Sequence, residues 1–227
     1  MSMPFYVAPE QVMKDRADYA RKGIARGRAL TALLYEEGIL ICAENASNTL
    51  RKVSEIYDRI AFAGVGRYSE FEQLRIAGVR HADLKGYSFS REDVDARGLA
   101  NAYAQILNQV FTHEIKPLEV EILVAEVAEQ PGNDQLYHIL YDGTVMDEEG
   151  STVLGGQAEE IAQAMDSRFS TEMDSAAAIR LGASVLAGPD TVLSADQLEV
   201  ALLDRTRARR AFRRINGEEL VAILAAS

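Results

Sequence analysis

The sequence predicts a four-layer α-β-β-α sandwich, an α+β fold, on two observations. Its elements run as strands, two helices, strands, two helices and a last strand, which departs from the strict strand–helix alternation of a parallel sheet. Its strands are apolar on both faces, so each sheet has to be covered on both sides. Two packed antiparallel sheets with helix pairs outside them meet both conditions. The 227 residues hold no internal repeat and no linker-like tract, so we expect residues 28–227 to form the sandwich behind a segment and helix at 1–27.

Pro9 suits the first position of a helix that should run to about Lys22, with Gly23 and Gly27 as stop signals. Ala29–Tyr35 and Ile39–Glu44 read as a hairpin about Glu36-Glu37-Gly38, and Ile56–Val65 as a third strand closing on Gly64-Val65-Gly66. Helices are expected over Arg67–Val79, with Phe71, Leu74 and Ala77 on one stripe, and over about Val94–Glu114. In the second, Leu99, Tyr103, Ile106, Val110 and Phe111 recur at helical spacing, and Leu84–Arg91 between the two looks irregular. Glu119–Val127 is a strand, Leu136–Tyr141 turns back through Asp142-Gly143 towards Met146, and Thr152–Gly155 adds a short strand. Two helices follow, one carrying Ile161, Met165 and Phe169, the other Ala177, Leu181 and Val185 and ending at Gly188-Pro189-Asp190. A strand at about Gln197–Leu203, the stretch Phe212–Ile215 and a short helix at Glu218–Leu224 complete the chain.

Composition narrows the function. A net charge of -11 opposes nonspecific binding to nucleic acid or to an anionic membrane. No run approaches the roughly 20 apolar residues of a membrane span, and Met1–Ala8 lacks the basic and apolar regions of a secretory signal, so a cytoplasmic protein is expected. Cys42, the one cysteine, lies in the apolar run Ile39–Ala43 and reads as a buried, inert thiol in a reducing compartment.

The usual chemical signatures are missing. His81, His113 and His138 are far apart and read as surface or helix-end residues rather than metal ligands. Gly64-Val65-Gly66 lacks the third glycine and the acidic partner of a dinucleotide fingerprint, and neither a Walker loop nor a G-x-S-x-G elbow occurs, so no cofactor is expected. The basic cluster of Arg205, Arg207, Arg209, Arg210, Arg213 and Arg214 reads as a solvated loop or a salt-bridged contact with an acidic neighbour in an assembly, with an anion or nucleic-acid patch as the alternative. Four-layer sandwiches also serve hydrolases of the N-terminal-nucleophile type, whose nucleophile opens the first strand and is activated by its own α-amine. Here Thr31 is the one hydroxyl residue of that strand, it follows an ordinary peptide bond, and Gly27 is followed by Arg28 and Ala29. The scaffold is present and the nucleophile is not.

Four separated stretches resemble one family in the right order. They are Pro4-Phe5-Tyr6-Val7 with Pro9-Glu10-Gln11, Tyr19 to Gly27, Lys52 to Ile60, and Arg97 to Tyr103. Together they resemble the α subunits of 20S proteasomes, of the actinobacterial type. That resemblance implies a non-catalytic subunit in a seven-membered outer ring, stacked on catalytic β subunits. Such a ring gates unfolded protein substrates and docks the tails of a hexameric ATPase activator, within a threonine-type endopeptidase complex. It implies docking roles for Lys52, Gly27 and Arg67, with the Lys52 ammonium pairing a tail carboxylate. It implies a gate made of Met1, Ser2, Met3, Pro4, Phe5, Tyr6, Val7 and Ala8, braced by Pro9 and Tyr19. Lys116, Pro117, Leu118 and Glu119 match the segment that narrows the substrate channel; on residues alone they are equally a proline-marked turn before a strand. Lys52 taken alone is a solvated charge and Gly27 a helix-to-strand turn. Two other readings stay open on the sequence: an amidohydrolase or peptidase of the same fold activated by N-terminal processing, and a homo-oligomeric binding module without a β partner.

Overall fold

The computed structural model describes residues 8–47 and 49–226. The expected four layers are present. Helix α1 (Pro9–Ala25) leads into a first sheet and a second sheet of five strands each, every ladder antiparallel. The first has the order β10-β9-β2-β1-β8, built from β1 (Leu30–Tyr35), β2 (Gly38–Glu44), β8 (Ser151–Leu154), β9 (Leu198–Asp204) and β10 (Phe212–Ile215). The second runs β3-β4-β5-β6-β7, from β3 (Val53–Tyr57), β4 (Ile60–Gly66), β5 (Val120–Glu126), β6 (Gln135–Ile139) and β7 (Val145–Asp147). Helices α4 (Ala158–Asp166), α5 (Ser175–Ala187) and α6 (Gly217–Ala225) cover the first sheet, and α2 (Tyr68–Ser88) and α3 (Ala96–His113) the second.

The period of two along each strand explains why the strands are apolar on both faces. In β2, Ile39, Ile41 and Ala43 face the other sheet, while Leu40 and Cys42 face α5. In β4, Ala61, Ala63 and Val65 point between the sheets and Ile60 and Phe62 towards α2 and α3. Helix α1 adds Ala20 and Ile24 to the layer between the sheets. It lies at the end of the sandwich, against β4 and β5.

Several sequence expectations are corrected. Ile56–Val65 is not one strand: the chain turns at Asp58-Arg59, where Asp58 pairs with Arg91 at 2.5 Å and Arg59 donates to the carbonyls of Val127 and Ala128. Two charged residues inside the apolar run were the signal for that turn. Helix α2 runs nine residues past Val79, because Gly86 lets it pack on the Tyr57 hydroxyl although Leu84 and Tyr87 stay exposed and leave no apolar stripe to read. Helix α1 passes through Gly23, whose missing side chain is where the Glu119 carboxylate packs. In α3 it is Leu107, not Ile106, that is buried. His138 is not a surface residue; it lies buried in β6 between Glu121 (3.4 Å) and Glu148 (3.5 Å). The arginine cluster is largely paired inside the chain, Arg205 with Asp134, Arg210 with Glu55, Arg213 with Glu219 and Arg214 with Glu199.

Tyr103 carries the α2–α3 contact. It is 1% exposed, its ring sits 5.6 Å from that of Phe62, and its hydroxyl lies over Gly78, where no side chain would fit. That hydroxyl has no hydrogen-bond partner among the described residues, and a buried unpaired polar group costs about 1–3 kcal/mol. Tyr103→Phe should therefore raise the melting temperature by about 2–4 °C, as about 1 kcal/mol does in a chain of this size; thermal unfolding followed by circular dichroism measures it, and a fall in stability would show that the hydroxyl is solvated or bonded.

Candidate functional site

Gly27, Lys52 and Arg67 come from three separate parts of the chain and meet at one end of the sandwich. Gly27 follows the last turn of α1; its amide donates to the Ile24 carbonyl at 2.8 Å and its carbonyl accepts from Gly156. A side chain at Gly27 would stand 3.1 Å from the amide nitrogen of Gly66, so the glycine permits backbone to lie on backbone. Gly66 itself has φ +98 and an added Cβ would run into the Glu119 carbonyl, a position closed to other residues. Arg67 comes next and caps the start of α2, its amide donating to that same carbonyl at 2.9 Å.

Lys52 ends the connection from β2 to β3. Its Nζ donates to the Arg28 carbonyl at 2.6 Å, one residue beyond Gly27. Its amide donates to Glu199, and its carbonyl accepts from Gly64. Burial pushes the amine down to about 8; Glu199 works in the opposite direction, and Arg28 adds to the depression. Arg28 in turn pairs with Glu44. The result is a half-buried amine, lowered to about 8 and still largely protonated at neutral pH, close to the Gly27–Gly66 backbone contact.

The Arg67 guanidinium belongs to a second cluster that sequence spacing did not reveal. It lies 2.7 Å from Glu119 and 3.6 Å from Glu70. Lys116 reaches Glu70 at 2.5 Å and Glu119 at 3.1 Å, and stands 5.8 Å from the centre of the Tyr19 ring. Burial opposes the Lys116 charge, yet Glu70 and Glu119 outweigh it and hold the ammonium above its usual range. Glu119 and Pro117 are buried and Leu118 is half-buried. A groove of about 550 Å³ runs alongside, lined by Val12, Asp15, Arg16, Tyr19, Ile115, Lys116 and Pro117. Arg67, Lys116, Glu70 and Glu119 thus form one ionic network, with the Tyr19 ring beside the Lys116 ammonium. Ala8 precedes α1 and Pro9 opens it, while Met1, Ser2, Met3, Pro4, Phe5, Tyr6 and Val7 lie outside the described residues.

At the start of the first strand Thr31 is fully buried, paired in register with Cys42 and Val153, and its hydroxyl has no hydrogen-bond partner among the described residues. Burial pushes the Cys42 thiol up to about 12, which keeps it protonated at neutral pH. Among the described residues, no three His, Cys, Asp or Glu side chains are grouped to hold a metal, and no helix is long and apolar enough to cross a membrane.

Residues 24–203 match the family model described as proteasome subunit. The chain belongs to the proteasome subunit family, on its α branch. It is 59% identical to the proteasome subunit alpha of Sanguibacter keddieii, over 99% of this chain and 90% of that relative. The alpha subunit of Acidimicrobium ferrooxidans is also 59% identical, over 97% and 95%, and that of Thermobifida fusca 56%, over 99% and 91%. The fold is that of a proteasome subunit, and the actinobacterial resemblance read from the four motifs agrees with these relatives. As an α-branch subunit it is a component of a protease complex and assembles with other proteasome subunits.

Sequence reasoning missed two acids in this proteasome α-type chain. Glu199 interrupts the apolar run Leu198–Leu203, and a charge in a buried strand demands partners, so the signal was present. Glu70 sits in the first turn of α2, where acids are commonplace and the signal is weak.

Lys52 also has a signature in solution. Its folded value of about 8 lies below the ordinary 10.5, so the unfolded chain binds the extra proton between those two values and stability rises with pH across that window. Lys52→Met should remove this component, leaving a stability curve flatter between pH 8 and 10.5 than that of the parent chain; urea denaturation at stepped pH compares the two, and parallel curves would mean that the amine is solvated.

Proposed function

We propose that this chain is a non-catalytic α subunit that forms the outer, seven-membered ring of a bacterial 20S core, gates substrate admission and docks the tails of a hexameric ATPase activator. The observation that carries this reading is Lys52: a half-buried amine on the Arg28 carbonyl, next to the Gly27–Gly66 backbone contact. A peptide ending in a carboxylate would find there an ammonium for its charge and glycine backbone close enough to lie against. Single tails of that kind bind weakly, and several tails on one ring would add up.

The catalytic residues then belong to threonine-type β subunits. Buried Thr31 and the α1 helix packed across the end of the sandwich support this, since both leave the head of the first strand without a free hydroxyl or amine. In this reading residues 1–27 are the gate segment and helix, and residues 28–227 the sandwich that stacks on the β ring. Residues 1–8 close the axial pore, Pro9 and Tyr19 brace them, and Lys116, Pro117, Leu118 and Glu119 narrow the channel. Arg67 continues the docking pocket through its place beside Gly66. Its partners are neighbouring α subunits, β subunits, the activator and unfolded protein in transit, with no nucleic acid, membrane or cofactor, in the cytoplasm.

Two expected outcomes test the assignment, with the chain co-expressed with a β subunit and purified as a core particle. Lys52→Ala should assemble and keep basal peptide hydrolysis, yet need about thirtyfold more tail peptide for half-maximal stimulation, the ~2 kcal/mol of a truncated charge pair; unchanged stimulation removes Lys52 from docking. Deleting residues 1–8 should speed hydrolysis of short peptides without any activator, and an unchanged rate would mean that these residues do not close the pore.

A further inference from the structure

Four donors converge on the carboxylate of Glu199, which is 3% exposed. Asn45 Nδ2 donates at 2.7 Å, the Lys52 amide at 2.8 Å, the Val53 amide at 3.3 Å and Arg214 Nη1 at 2.5 Å. Arg214 also donates through Nη2 to the Val53 carbonyl at 2.6 Å. Glu199 belongs to β9 in the first sheet and Val53 to β3 in the second, so one side chain ties the two sheets where the β2–β3 connection enters β3. That connection begins and ends on the same carboxylate, at Asn45 and at Lys52. A buried charge is tolerated only when its lone pairs are filled, and here they are filled largely by the segment that presents Lys52.

Two charged groups act on the Lys52 amine, Glu199 and Arg28. Glu199 favours its protonated form, Arg28 opposes it, and burial opposes it most. Arg28 is itself partnered by Glu44, and Arg214 by Glu199. We infer that Glu199 is the positioning residue of the docking lysine: one carboxylate pins both ends of the segment presenting Lys52 and, from the backbone side of that residue, supplies a counter-charge to its amine. This rests on the docking role proposed for Lys52. Glu199 touches no tail and acts only through Lys52.

The test uses core particles carrying Glu199→Gln, Asn45→Ala or Lys52→Ala, with two readouts. The first is the half-saturating concentration of a synthetic tail peptide with a free carboxylate, measured against pH. The second is the pH midpoint of Lys52 acetylation by trace acetic anhydride, read by mass spectrometry, which needs no docking. Glu199→Gln should raise the half-saturating concentration about tenfold at unchanged maximal stimulation, and lower the Lys52 midpoint by about one pH unit, the equivalent factor of ten. Either quantity left unchanged overturns the inference. Asn45→Ala keeps the charge and loosens only the segment; it should weaken the tail about threefold, an effect of lost positioning, with the Lys52 midpoint unmoved. It carries the test if Glu199→Gln fails to assemble, and no loss of tail affinity in it counts against the inference. If Lys52→Ala docks tails as well as the parent, the docking role fails by itself. The acetylation midpoint in Glu199→Gln then decides separately whether Glu199 governs Lys52.

Discussion

Strands that are apolar on both faces cannot stop at two layers, and most of this structure follows from that constraint. Alternate residues of β1, β2, β4, β5 and β9 fill the space between the sheets, and the residues in between demand cover from outside. Helices α2 and α3 supply it on one side and α4, α5 and α6 on the other. The inner layer is rich in alanine, among them Ala32, Ala43, Ala61, Ala63, Ala125 and Ala201. Facing isoleucines and leucines fill the space these leave. One end of that layer is closed by α1 through Ala20 and Ile24, which is why this helix is part of the core and not an appendage.

Within that apolar frame the polar groups that matter are few and heavily partnered. Glu199 answers four donors across the sheets, and Glu119 sits against Gly23 of α1 while pairing with Arg67 and Lys116. A chain with a net charge of -11 has acids to spare on its surface. The buried ones stand at junctions: sheet to sheet for Glu199, helix to sheet for Glu119. Their neighbours Lys52 and Lys116 are perturbed in opposite directions. Burial prevails over Glu199 at Lys52, whereas two carboxylates prevail at the more exposed Lys116.

The layer order and most elements were legible in the sequence because both rest on periodicity, and periodicity survives in these strands and in α3. Where apolar pattern was absent, reading faltered. The last turns of α2 expose Leu84 and Tyr87 and are held by a glycine contact that no local pattern announces. The β3–β4 turn was hidden because Ile56, Tyr57 and Ile60 flank its two charged residues with apolar ones. His138 was misread since an alternating strand with one histidine looks like an exposed edge until its acidic neighbours on β5 and beyond β7 are known. The candidate site was partly legible: Lys52, Gly27 and Arg67 came from resemblance to a family, and they do adjoin. That Arg67 shares its acids with Lys116, beside Tyr19, depends on side chains meeting across 49 positions, from residue 67 to 116, and spacing carries no such information.

The contact of Gly27 with Gly66 has a mechanical side. Helix α1 leaves that point as a rigid rod of 17 residues, about 25 Å long at 1.5 Å per residue. With no side chain between the two backbones, the fulcrum is as narrow as two chains allow, and the rod's far end is Pro9. A tilt of about 5° at the glycines carries Pro9 through about 2 Å for a rod of that length. Ala20 and Ile24 lie buried between that fulcrum and Pro9, so such a tilt drags the inner layer with it, and Pro9 travels only as far as those two side chains allow.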